Sequence, residues 1–172
     1  GPGVPPDEVE RMSLWKEAKY REVAAESLRP LDGAVELVRA ARQAGGTVTT
    51  HEIEQACFSR NDLYALRDLG DFVELSRGVY RLADSPAIAH LDFVAVSKRA
   101  PGGTICLDSA LSRWDLTDLV PGEVHLAVAK GATRPSIAHP RTTVHVFAAA
   151  TFDIDRVEDI LSTGERYWIY SA

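Results

Sequence analysis

The apolar residues in the first half of the chain recur every three to four places and then begin to alternate with polar ones. The first pattern is typical of helices that bury one face, and it predicts helices over residues 33–44, 50–56 and 60–69. Alternation is typical of strands and predicts a short hairpin, with strands over residues 72–76 and 79–82. The pattern therefore predicts three helices followed by a two-stranded hairpin.

Capping and breaking residues support these boundaries. Residues with side-chain oxygens precede the three helices and are expected to cap them: Asp32, Thr50 and Ser59. Glycines that permit a left-handed conformation follow the first and third helices: Gly45, Gly46 and Gly70. With a short extended stretch over residues 47–49, the order predicts a winged helix-turn-helix over residues 32–84, in which the hairpin is the wing.

The segments on either side of this unit have patterns of their own. Residues 5–29 are polar, with apolar residues at helical spacing, and predict one amphipathic helix within an N-terminal segment over residues 1–31. Residues 85–172 predict a small mixed domain with helices over 88–99, 108–114 and 155–161 and strands over 104–107, 123–128, 142–147 and 166–170. Asp108 is expected to cap the second of those helices. The fold class predicted from the whole chain is α+β, a winged helix-turn-helix followed by a small mixed α/β domain.

Composition narrows the class of protein. The chain has 172 residues, of which 45% are hydrophobic and 26% charged, the balance of a globular protein that folds in water. No apolar run approaches the length of about 20 residues that a bilayer requires, so we expect a cytoplasmic protein without membrane contact. The opening Gly1-Pro2-Gly3 resembles the remnant of a cleaved tag. Cys57 and Cys106 lie far apart in apolar contexts and are expected to be buried free thiols.

The charge distribution bears on nucleic-acid binding. A net charge of -6 argues against a protein that coats nucleic acid without specificity. Four of the six arginines between residues 33 and 82 nevertheless fall on the third helix and the hairpin. A specific DNA reader can be acidic overall when its basic residues share one face, and its affinity is expected to be sensitive to salt.

The third helix and the hairpin carry the candidate DNA contacts. The second helix of a helix-turn-helix lies in the major groove, where arginine can bind guanine and asparagine can bind adenine. Contacts with bases or phosphates are expected from the helix, at Ser59, Arg60, Asn61, Tyr64 and Arg67. Arg77 and Arg81 on the hairpin are expected to contact the backbone or minor groove. Thr49, Thr50 and His51 are expected to anchor a phosphate at a helix N-terminus.

Other residues leave alternatives open. The loop residues Lys130, Arg134 and Arg141 either contact DNA or a partner, or belong to a solvated connection. The five histidines show no metal-ligand spacing, and no catalytic or cofactor motif is found, so we expect no enzyme activity, metal or cofactor. The alternative to a DNA reader is a winged helix that binds another protein. A third alternative is an enzyme using the carboxylates Asp108, Asp115, Asp118 and Glu123, although their spacing fits no metal template.

Several segments together resemble the AbiEi antitoxins of bacterial type IV toxin-antitoxin and abortive-infection systems. The resemblance covers about residues 33–172 and rests on the order of its segments. These are Leu75-Ser76-Arg77-Gly78-Val79-Tyr80-Arg81-Leu82, Leu107-Asp108-Ser109-Ala110-Leu111, Trp114-Asp115-Leu116-Thr117, Val124-His125-Leu126-Ala127-Val128 and Ile169-Tyr170-Ser171-Ala172. Each segment is short and apolar, and the succession carries the resemblance.

The resemblance implies an antitoxin that binds inverted repeats in its own promoter and represses the operon. It further implies a functional partner, a nucleotidyltransferase-like toxin that the antitoxin opposes without a stable complex, and a monomer or weak dimer. The family's DNA-contacting positions match the helix from Arg60 to Arg67 and Arg77 on the wing. Family members usually continue past the Tyr170-Ser171 segment, so the second domain is expected to be incomplete, with DNA binding kept and antitoxin activity in doubt.

Overall fold

The structure is a computed structural model that describes residues 11–12, 14–16, 19 and 33–171. The chain divides into two compact units, Gly1–Asp32 and Gly33–Ala172. All the described residues of the first unit are helical, at positions within the predicted amphipathic helix. The rest of that helix, and the expected cap Asp32, lie outside the described residues.

The first region of the second unit contains three helices and a three-stranded sheet. Its elements are α1 (Ala34–Gln43), β1 (Thr47–Thr49), α2 (Thr50–Gln55), α3 (Arg60–Leu69), β2 (Phe72–Ser76) and β3 (Val79–Leu82). The sheet is antiparallel, in the order β1-β3-β2. Leu37, Leu63 and Phe72 are almost fully buried where the helices pack on the sheet. The predicted helices and hairpin of this region are therefore confirmed to within about two residues, the usual uncertainty of element ends.

The helix ends follow from local chemistry. Gly45 and Gly46 both have positive φ, as the end of α1 requires. Ser59 caps α3, since its hydroxyl accepts the backbone N–H of Asn61. The cap of α2 was predicted one residue too late: Thr49, not Thr50, accepts the N–H of Glu52, which returns the bond in a capping box.

The second region contains two helices and a five-stranded mixed sheet. Its elements are α4 (Leu91–Arg99), β4 (Thr104–Ile105), α5 (Leu107–Arg113), β5 (Val124–Ala129), β6 (Thr142–Phe147), β7 (Arg156–Ile160) and β8 (Arg166–Tyr170). The strands lie in the order β6-β5-β4-β8-β7, with β5 parallel to β6 and β4 parallel to β8. Helices and two separate sheets make the chain an α+β protein, as the sequence predicted.

The core of the second region lies on one face of its sheet. Phe93 and Val96 of α4 pack there with Leu126 and Ile169 of the strands. A second, smaller cluster of buried residues is formed by Cys106, Ala127 and Phe152.

Three further expectations about the fold are wrong. Residues 155–161 were predicted as a helix, but they contain the strand β7, which pairs antiparallel with β8. Pairing along a hydrophobic strand here outweighs the local preference for a helix. Asp108 does not cap α5, which begins at Leu107 after Cys106 and has no side-chain cap. Cys57 is exposed.

Local geometry explains the exposure of Cys57. The residue has a φ of 63° at the end of α2, and the N–H of Phe58 bonds to the carbonyl of Ile53. This is a Schellman ending, in which the residue after the left-handed one turns inward. Phe58 therefore packs against the core, and Cys57 faces solvent.

A buried ion pair joins the two regions within the second unit. Arg81 of β3 donates to Glu165, before β8, at 2.8 Å and to the hydroxyl of Thr47 at 2.7 Å. We call these three residues the seam. The predicted boundary at residue 84 thus falls inside one compact unit, and the two regions share buried polar contacts. In the described part of the chain, no helix is long and apolar enough to cross a membrane.

Candidate nucleic-acid interface

Helix α3 turns one side to the core and the other to solvent. Leu63 and Leu66 are buried against the sheet and fix the rotation of the helix. Arg60 and Asn61 are consequently exposed at its N-terminal end, next to the exposed cap Ser59. The outward side of α3 thus presents donors and acceptors suited to base edges.

The two arginines of this side are paired with carboxylates. The Nη2 atom of Arg60 lies 2.8 Å from Oε2 of Glu54, and this hydrogen bond lowers the pKa of Glu54. The Nε atom of Arg67 lies 2.9 Å from the carboxylate of its neighbour Asp68. Both pairs are open to water, which screens them, so a phosphate or base edge can replace either carboxylate.

Tyr64 is the aromatic member of the α3 surface. Its ring lies 6.3 Å from that of Tyr80 on β3, and the guanidinium of Arg67 lies 5.1 Å from the Tyr64 centroid. Tyr64 is half-buried and does not project fully into solvent, so its main contribution is to orient the side chain of Arg67. The five positions predicted at this helix and its cap are all exposed or half-buried, and we call them the α3 face: Ser59, Arg60, Asn61, Tyr64 and Arg67.

The hairpin tip presents one cation. Arg77 is exposed and has no ion-pair partner among the described residues, whereas Gly78 takes a φ of 76° beside it. The carbonyl of Gly78 accepts the N–H of Thr50 at 3.0 Å, and its N–H donates to Glu74 at 3.1 Å. These bonds hold the tip against the start of α2 and leave the Arg77 side chain to solvent.

The expected phosphate anchor at Thr49, Thr50 and His51 is occupied by the protein itself. The N–H of Thr49 donates to the carboxylate of Glu52 at 2.7 Å, so a negative charge already lies at the start of α2. Burial by itself raises the pKa of Glu52. The hydrogen bond from Lys98 and the other bonds to this carboxylate together outweigh burial, so the pKa of Glu52 is lowered overall. A phosphate at this helix end would meet that carboxylate, which argues against the anchoring role.

Arg81 is not a surface residue. Its side chain is 7% exposed and its charge is taken up by Glu165 in the seam. A DNA duplex cannot reach the guanidinium, so the predicted contact of Arg81 with the backbone or minor groove is wrong. All four residues of β3 are buried, and Arg81 lies on the face of the strand opposite the core residues Tyr80 and Leu82. Only the pairing with Glu165, distant in sequence, shows what neutralises it.

A cleft of about 640 Å³ lies beside the hairpin tip, and we call it the hairpin cleft. One wall contains Arg77, Gly78 and the start of α2, and the other contains the end of α4 and the start of β8. Sequence reasoning missed the second wall, whose cations are Lys98, Arg99 and Arg166. Lys98 and Arg99 lie at the end of a predicted helix and Arg166 at the start of a predicted strand, and none belongs to a motif, so no local signal pointed to them.

The loop cations predicted as a secondary contact lie elsewhere. Lys130, Arg134 and Arg141 are exposed between β5 and β6, and Arg134 donates to the carbonyl of Val144 at 3.2 Å. None of the three lines the hairpin cleft. The structure thus places them apart from the residues on α3 and the hairpin.

The titratable groups of the second region form no metal site among the described residues. His125 and His145, on adjacent parallel strands, lie 3.0 Å apart between Nδ1 and Nε2, a contact that needs the strand register to be seen. Burial, with a contribution from His125, lowers the pKa of His145. Burial raises the pKa of Cys106 to about 12, so its thiol is inert.

Comparison with known proteins adds no relative. No model of a known protein family matches the chain, and no curated protein matches it.

Proposed function

We propose that residues 33–82 form a winged helix that binds double-stranded DNA. In this proposal α3 enters the major groove and the β2–β3 hairpin is the wing beside it. The order of elements supports it, since three helices, with β1 between the first two, precede an antiparallel hairpin whose return strand pairs with β1.

One observation carries the proposal: Arg60 and Asn61 are exposed at the N-terminal end of a helix whose rotation Leu63 and Leu66 fix in the core. Side chains at this end of a recognition helix are those that reach base edges. Arginine and asparagine are also the residues with the most selective bidentate contacts, to guanine and adenine respectively. Position and chemistry therefore agree.

The biological role that we propose is that of an antitoxin and autorepressor of a type IV toxin-antitoxin operon. The support is the resemblance of residues 33–172 to the AbiEi antitoxins, in the order of their segments. The operator would be an inverted repeat in the chain's own promoter, and the functional partner a nucleotidyltransferase-like toxin. Survival of cells that express such a toxin from the neighbouring gene, with and without this chain, tests that part.

DNA titrations test the DNA-binding part. The chain is titrated onto its own upstream promoter and onto a random duplex of the same length, at two salt concentrations. Saturable binding that prefers the promoter and weakens with salt supports the proposal. Replacing Arg60 or Asn61 with alanine is expected to reduce the preference by about 10- to 100-fold. Arg39→Ala, which removes an exposed arginine from α1, is the control and is expected to leave the preference unchanged.

A second candidate is a winged helix that binds another protein. The observation that favours it is the pairing of Arg60 with Glu54 and of Arg67 with Asp68, which neutralises the α3 face. In that case the chain has no preference for the promoter over random duplex, and Arg60→Ala and Arg39→Ala behave alike. Equal binding of both duplexes would therefore replace the DNA-reading proposal with this one.

A further inference from the structure

The hairpin cleft brings the wing tip face to face with cations of the second region. We propose that it holds the phosphodiester backbone of the duplex that flanks the segment contacted by α3. Arg99, at the end of α4, and Arg166, at the start of β8, are the phosphate-binding residues of the far wall. The inference rests on the proposed function and extends it, because it makes the second region part of the DNA interface.

The charges of the cleft support an anionic occupant. Its lining contains four cations, Arg77, Lys98, Arg99 and Arg166, and three carboxylates, Glu52, Glu158 and Glu165. Each carboxylate is paired within the protein: Glu52 with Lys98, Glu158 with Arg166 and Glu165 with Arg81. Positive charge is thus left over in the cleft of a chain whose net charge is -6.

Two of these cations have no carboxylate partner among the described residues. Arg77 projects from the hairpin tip, and Arg99 contacts only the carbonyl of Ser136, at 3.4 Å. Both side chains are exposed. Arginines that lack a carboxylate partner and line the same open cleft lose little on binding a phosphate and release its counterions.

The experiment separates phosphate contacts from base contacts. The logarithm of the binding constant for the promoter is plotted against the logarithm of salt concentration for the parent chain, Arg99→Ala and Arg166→Ala. Each lost phosphate contact is expected to make the slope shallower by about one unit, with promoter preference unchanged. Arg99→Lys is expected to restore most of the slope. Arg39→Ala is the matched control, since Arg39 is exposed but lines no part of the cleft.

Duplex length gives a second readout. Shortening the duplex on the wing side is expected to weaken DNA binding by the parent chain to the level of Arg99→Ala. Binding by Arg99→Ala itself is expected to be unaffected. Circular dichroism and thermal unfolding identify any variant that fails to fold. Such a variant is replaced by its glutamine counterpart, which removes the charge and keeps a polar side chain.

The outcomes distinguish the two proposals. A parent chain without promoter preference overturns the proposed function. Promoter preference that is lost in Arg60→Ala, together with parent-like slopes for Arg99→Ala and Arg166→Ala, overturns the cleft alone. An equally shallow slope for Arg39→Ala would also overturn it, because the effect would then be one of net charge.

Discussion

The seam and the α3 face contain the same kind of contact in opposite surroundings. Arg81 and Glu165 in the seam lie 2.8 Å apart, and so do atoms of Arg60 and Glu54 at the α3 face. The side chains in the seam are 7% and 1% exposed, whereas those at the α3 face are 54% and 41% exposed. Only solvent distinguishes the two pairs.

This difference determines what each pair can do. A buried charge that loses its partner has no water to replace it, so the seam pair has to remain closed for the two regions to stay packed. An exposed pair loses little when it opens, because water solvates both groups. The α3 face can therefore exchange a carboxylate for a DNA group, and the seam cannot exchange Glu165 for anything.

The largest expected effect comes from breaking the seam. Arg81→Met leaves the Glu165 carboxylate buried and unpaired, which is expected to lower the free energy of unfolding by about 3 to 5 kcal/mol. Urea denaturation measures it. The double variant Arg81→Met/Glu165→Met removes both charges and is expected to recover most of the loss. A single variant that unfolds at the same urea concentration as the parent chain would mean that the pair is not closed in solution.

A smaller effect is expected at the cap of α2, whose burial is intermediate between that of the seam and that of the α3 face. Thr49→Ala removes the hydroxyl that accepts the N–H of Glu52 and is expected to cost about 1 kcal/mol of stability. Thr50→Ala is the matched control, since Thr50 lies one residue later and caps nothing. Equal shifts of the urea midpoint in both variants would contradict the capping assignment.

The smallest effect on stability is expected at the α3 face. Glu54→Gln frees Arg60 from an exposed pair, so the urea midpoint is expected to remain that of the parent chain. Affinity for the promoter is expected to rise, because Arg60 no longer has to break its ion pair with a carboxylate before it binds DNA. If the affinity for the promoter were unchanged and the urea midpoint lowered, the exposed pair would stabilise the fold. The contrast drawn with the seam would then be reversed.

Much of the first region could be predicted because its boundaries depend on neighbouring residues. Helical spacing, a serine before α3 and glycines after α1 and α3 each act within a turn or two of the chain. The outward position of Arg60 and Asn61 follows from the same spacing, once Leu63 and Leu66 are assigned to the core.

The rest depends on contacts between residues far apart in sequence. Arg81 is indistinguishable from Arg77 in the hairpin until Glu165, 84 positions later, is placed beside it. Residues 156–160 form a strand because β8 pairs with them, although three of the five are charged. The far wall of the hairpin cleft likewise combines the end of one helix with the start of the last strand, which no local pattern encodes.

The seam also has a consequence for the order in which the protein is made. The ribosome completes the hairpin, with Arg81 in it, well before it reaches Glu165. During that interval the guanidinium has to stay hydrated, so the first region cannot close over it until Glu165 and β8 emerge. The nascent chain thus delays the packing of its two regions until that strand has been made.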